Sequence, residues 1–143
     1  RYYQEQIEPL LRGQKLVEYI GEISDDQKSE FLGGASALLF PIDWPEPFGL
    51  VMIEAMACGA PVIAYGCGSV PEIVEEGLTG FIVQDEDEAA AAVSRLDRLD
   101  RRAIRRRFEE RFSATAMARR YLDLYAGLGA DRSVPGVALA ANA

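Results

Sequence analysis

Glu46-Pro-Phe-Gly-Leu-Val-Met-Ile-Glu54 lies between a short apolar run at 37–40 and the Cys58-Gly59 pair, and its reading decides the fold. Ala-Leu-Leu-Phe at 37–40, bounded by glycines and Pro41, has the composition of a buried parallel strand. Pro41, Pro45 and Pro47 bar a helix directly after it, so residues 41–47 are extended or turning. From about Phe48 to Cys58 the chain reads as helix, and Pro-Val-Ile-Ala-Tyr at 61–65 is the next strand.

The same alternation continues outward. Residues 2–11 read as a short helix ending near Gly13, and Lys-Leu-Val-Glu-Tyr-Ile at 15–20 has strand composition. Ser24 and Gln27 stand at capping-box spacing at the head of a helix over 25–32, with Gly33-Gly34 as its stop. A one-to-two-turn helix over 71–76 and a strand at 81–83 follow. Three helical stretches over 87–98, 100–112 and 113–128 come next, the last capped by Ser113. Short apolar strands alternating with helices predict an α/β fold, a doubly wound parallel sheet with C-terminal helices. Residues 129–143 turn to Gly, Ala, Ser and Pro and read as a flexible tail, which leaves 1–128 as the domain.

Ligands of such sheets bind outside the carboxyl ends of the strands. The loops at 41–47 and 66–71 both follow strands, so both are expected to line one cleft. A helix N-terminus offers unpaired amides and partial positive charge, and takes a phosphate without any basic side chain. Glu46 falls before that anion site and Glu54 well inside the helix, placing one carboxylate on each side of it. A nucleotide-sugar presents the matching pattern of sugar hydroxyls, diphosphate and ribose hydroxyls. From spacing alone, a loop Glu followed by an ordinary helix Glu is the safer reading.

The surrounding motifs carry more. Phe48-Gly49-Leu50, Glu54-Ala-Met-Ala-Cys-Gly59, Ala60-Pro-Val-Ile-Ala64 and Gly68-Ser-Val-Pro-Glu72 follow one another in order. Together with Glu46 they closely resemble the carboxyl-terminal domain of retaining glycosyltransferases with the two-domain GT-B fold, family four (glycosyl transferases group 1), over about residues 19–125. The resemblance implies one Rossmann-like, donor-binding half of an enzyme that moves a hexosyl unit from an NDP-sugar to an acceptor it does not identify. It places Glu46 beneath the donor sugar, where a carboxylate accepts hydroxyl hydrogen bonds and stabilises an oxocarbenium-like transition state. It gives the backbone amides of Phe48, Gly49, Leu50 and Val51 to the sugar and diphosphate, and Glu54 to the ribose hydroxyls. No metal and no other cofactor is implied; the NDP-sugar is a substrate.

A whole enzyme of this kind also has an amino-terminal domain with the acceptor site, and a strand followed by a basic diphosphate clamp. Neither precedes Arg1, and Lys15 and Lys28 do not match the clamp's context. The chain is therefore expected to begin inside its domain, to be inactive alone, and to self-associate through an exposed sheet edge. Cys67 stands where relatives frequently carry Arg. Two other readings are a non-catalytic nucleotide-binding or assembly module, and a GT-B epimerase, although epimerases of the fold usually need a His.

Composition excludes more than it selects. A net charge of −8 argues against nucleic acid as a partner. No apolar run reaches the length of a membrane span and no signal-peptide pattern opens the chain, which points to the cytoplasm. Cys58 and Cys67 lack metal-ligand spacing and fit reduced thiols, though their pairing stays open. With no histidine, a hydrolase using a His base is excluded within this chain. Asp85-Glu86-Asp87 has the form of a metal motif but precedes a helix, where acids favour the N-terminal dipole. The arginine run from 95 to 111 reads as a solvated face, with Asp97/Arg101 and Arg105/Glu109 at helical spacing.

Overall fold

The computed structural model describes residues 1–130. At its centre are three parallel strands, β1 (Leu38–Phe40), β2 (Val62–Tyr65) and β3 (Gly80–Val83), in that spatial order. Helix α3 (Leu50–Ala57) connects the first two and α4 (Val70–Ile73) the second pair; α5 (Glu86–Val93), α6 (Arg101–Arg111) and α7 (Ala114–Ala130) follow. A π-helical turn, Tyr3–Ile7, with α1 (Glu8–Leu11) and then α2 (Asp25–Gly34), precede the sheet.

Successive strand residues face opposite ways, and each face finds its own cover. Phe40, Val62 and Ala64 pack with Met52 and Met56 of α3 and Ile104 of α6. Ile63, Phe81 and Val83 pack with Ala92 of α5 on the other side. The sheet is covered on both faces, so it is doubly wound as expected.

Several boundaries differ from the expectations. Residues 15–20 form no ladder, and Leu16 is 99% exposed. Strand composition supplies only a preference, and pairing needs a neighbour that no described element provides there. Tyr19 instead tilts against Tyr3, ring centroids 4.6 Å apart. Strand β1 is buried at Phe40 but leaves Leu39 60% exposed, because it forms an edge of the described sheet. Helix α5 ends at Val93 and a separate 3-10 turn, Leu96–Arg98, completes the stretch read as one helix. Helix α7 runs through Gly129 and Ala130, and the remainder of the expected tail lies outside the described residues.

The arginine run does more than meet water. Arg101 donates to the carbonyls of Gly33 (2.8 Å) and Ala35 (2.7 Å) at the end of α2 instead of pairing with Asp97. Arg105 bonds Glu109 at 2.8 Å, as expected, and also the carbonyl of Ala57, the last residue of α3. Arg111 bonds the carbonyls of Glu72 and Ile73 in α4. The last carbonyls of a helix lack intrahelical partners, and α6 supplies donors to three such ends.

Beside them, Glu75 accepts from Arg107 Nε at 2.7 Å and from Arg111. The Arg107 hydrogen bond above all, against the opposing effect of burial and helped by both charges, holds the Glu75 carboxyl below its ordinary value. Its stabilisation is present above the unfolded-state pKa and is lost as pH falls through the lowered folded value. Glu75→Gln is expected to cost about 1–3 kcal/mol at neutral pH. The gap in thermal midpoint between variant and parent should narrow on acidification below the carboxylate range. A constant gap would mean that Glu75 does not gain its effect from ionisation.

Candidate functional site

Two loops at the carboxyl ends of β1 and β2 are bound to each other. Ser69 donates its backbone N–H to the Glu46 carbonyl (3.0 Å) and its hydroxyl to the Phe48 carbonyl (2.8 Å). Gly68, at φ 57°, lies so close that a β-carbon would stand 2.5 Å from both the N and O of Glu46. The two loops expected to line one cleft are thus in direct contact with each other. Ser69, 8% exposed, was not singled out from sequence, although a small donor after glycine is the residue such a junction requires.

Gly49 sets the entry to α3. It is buried with φ 68° and ψ 62°, so the helix starts at Leu50, two residues later than the sequence reading. A β-carbon there would meet Met52 Cε at 2.6 Å and Phe40 Cζ at 3.2 Å. Met52 N–H bonds the Gly49 carbonyl, while the N–H groups of Gly49, Leu50 and Val51 donate to no protein acceptor among the described residues. Phe48 (44% exposed) and Leu50 (64%) flank these open amides. That arrangement suits an anion.

The two carboxylates differ in setting. Half-buried Glu46 accepts from the indole N–H of Trp44 at 3.3 Å. Glu54, the fifth residue of α3, lies roughly 6 Å along the helix axis from Leu50. Its carboxylate accepts from Lys28 Nζ of α2 at 2.9 Å, and Lys28 is also 3.1 Å from Asp25. The Glu54 hydrogen bond, then that of Asp25, raises the Lys28 pKa. Lys28 had no assigned role; a partner 26 positions away leaves no periodic trace in the sequence.

The remaining candidates have structural tasks. Asp85 caps α5, accepting from Glu88 N–H at 2.8 Å, while Glu88 accepts from Gln84 N–H at 2.9 Å. Cys58 and Cys67 are half-buried free thiols. An apolar recess of about 290 Å³ includes Leu39, Pro41, Tyr65 and Val93, beside β1. A second, of about 600 Å³, runs from Phe48 and Leu50 to Phe112 and Tyr121. Among the described residues no helix is long and apolar enough to cross a membrane.

A parallel α/β unit covered by helices on both faces has Rossmann-like architecture, and ligands of such sheets bind at the carboxyl ends of the strands, where the open amides lie. The family profile described as "Glycosyl transferases group 1" matches residues 3–114. The chain is 42% identical over 77 residues to D-inositol 3-phosphate glycosyltransferase of Streptomyces scabiei, covering 54% of this chain and 17% of that protein. It is 41% identical over 71 residues to alpha-maltose-1-phosphate synthase of Mycobacterium tuberculosis, covering 49% and 18%. Sucrose-phosphate synthase of Thermosynechococcus elongatus superposes with a TM-score of 0.73 at 32% identity, over 87% of this chain and 34% of that one. The chain belongs to the glycosyl transferases group 1 family and has the GT-B type of α/β fold.

The loop junction can be tested apart from any ligand. Gly68→Ala is expected to cost about 2–4 kcal/mol, combining positive-φ strain with a clash against backbone. Gly77→Ala, at φ 72° but with nothing within 4 Å, carries only the strain and should cost about 1–2 kcal/mol. Urea unfolding compares them. Equal losses would show that the approach of Gly68 to Glu46 is not a tight constraint.

Proposed function

We propose that this chain is the donor-binding domain of a retaining glycosyltransferase that moves a hexosyl unit from an NDP-sugar to an acceptor. The observation that carries the reading is the row of open amides at Gly49, Leu50 and Val51, with Glu46 before it and Glu54 beyond it. A diphosphate fits the amides, and the two acids then fall to the groups on either side.

In this reading Glu46 accepts from hydroxyls of the donor sugar, and its negative charge stabilises the positive charge that develops at the anomeric carbon. Phe48, Gly49, Leu50 and Val51 present backbone N–H groups to the sugar and diphosphate. Glu54 accepts both ribose hydroxyls, and the Lys28 ammonium at 2.9 Å holds its carboxylate in place. The helix N-terminus takes up leaving-group charge, so the proposed transfer uses no metal. A departing phosphate oxygen takes the acceptor's proton, which spares the domain a base. The chain spans 34% of its structural neighbour, and the rest of the protein would supply the acceptor site. The domain alone would not turn over, because catalysis by positioning needs both walls of the cleft. The open edge of β1 is where copies of the isolated chain would pair.

Glu46→Gln in the whole enzyme is expected to lower kcat about a hundredfold or more, with little change in nucleotide affinity. Glu54→Ala should weaken UDP or GDP binding by about 1–3 kcal/mol in calorimetry. Gly49→Val should abolish diphosphate binding at the helix start. A Glu46→Gln enzyme with parental kcat would remove the catalytic role of Glu46, whereas a whole protein that binds nucleotide-sugars without transferring sugar would be a non-catalytic nucleotide-binding module instead.

A further inference from the structure

We infer that Trp44 is a positioning residue of this site: its indole N–H fixes the Glu46 carboxylate, and its exposed ring is an apolar platform for the hexose. The inference rests on the reading of Glu46 as the residue facing the donor sugar.

Trp44 and Glu46 are tied together twice. Glu46 N–H donates to the Trp44 carbonyl at 2.7 Å, and the Trp44 indole N–H donates to Glu46 Oε2 at 3.3 Å. The Glu46 backbone is in turn held by Ser69 and wedged by Gly68, so the pair cannot swing away as a unit. An unrestrained Glu side chain samples many rotamers, and each productive contact then carries an ordering cost. A donor aimed at one carboxylate oxygen removes much of that freedom and leaves the second oxygen for a ligand.

The ring is a separate observation. Trp44 is the single tryptophan of the chain and is 57% exposed, although its N–H is already committed. An indole with its polar edge satisfied and its face open is an amphipathic surface. A pyranose has the same character, with hydroxyls at its rim and C–H groups on its faces. With its hydroxyls at Glu46, such a ring would lie against the adjoining indole.

Because Trp44 is alone, a nitrogen-labelled sample of the chain gives one indole N–H resonance. Glu46→Ala should move that resonance upfield and speed its exchange with water, while Asp43→Asn, one position before Trp44, should leave both unchanged. UDP-glucose or GDP-mannose should shift the resonance, and UDP or GDP alone should leave it in place. In the whole enzyme, Trp44→Phe keeps a ring and should lower kcat about tenfold with the donor KM unchanged. A resonance indifferent to Glu46→Ala overturns the positioning role. Calorimetry on the same samples separates the two layers. Binding of a nucleotide-sugar with a silent Trp44 overturns the platform and spares the donor reading; no binding by either nucleotide-sugar removes both.

Discussion

The contact of Gly68 and Ser69 with the backbone of Glu46 is the constraint on which the site depends. Parallel strands leave their ligand loops free at the carboxyl ends, and nothing in the sheet itself holds one loop to the next. Here a glycine without a β-carbon lets the second loop touch the first, and the Ser69 N–H and hydroxyl close the junction. Glu46, the turn at Gly49 and the first amides of α3 are thereby fixed relative to β2 as well as β1. The geometry of the open amides at Gly49, Leu50 and Val51 is thus a property of two connections, although all three residues come from one.

Much of this was legible because the responsible interactions are local. Ser24 with Gln27, and Ser113 with Ala116, lie within one helical turn, and the caps form where their spacing put them. The strands at 38–40, 62–65 and 80–83 announced themselves as short apolar runs between glycines and prolines. The onset of α3 slipped by two residues for an equally local reason that spacing does not encode. Gly49 occupies the left-handed region, and a residue there cannot begin a right-handed helix.

What was not legible depends on partners distant in sequence. Residues 15–20 have the right composition for a strand, but a strand exists only in a ladder, and no described element offers them one. Glu54 and Lys28 meet across two helices, and Trp44 meets Glu46 through a side-chain rotamer. Of the two pairs expected at helical spacing, Arg105 with Glu109 forms, while Arg101 turns from Asp97 to the end of α2. Unpaired carbonyls at the ends of α2, α3 and α4 drew Arg101, Arg105 and Arg111 away from a purely solvated face.

Those arginine bonds also order events in time. The links from Arg101 to α2 span 66 and 68 positions, and that from Arg105 to α3 spans 48. As the chain leaves the ribosome, α2, β1, α3 and β2 emerge well before the residues that complete them. Until α6 is made, the ends of α2, α3 and α4 lack these donors and Ile104 is missing from the core. Completion of this core therefore waits on residues made late, because contacts of long sequence separation close only when their distant partner is present.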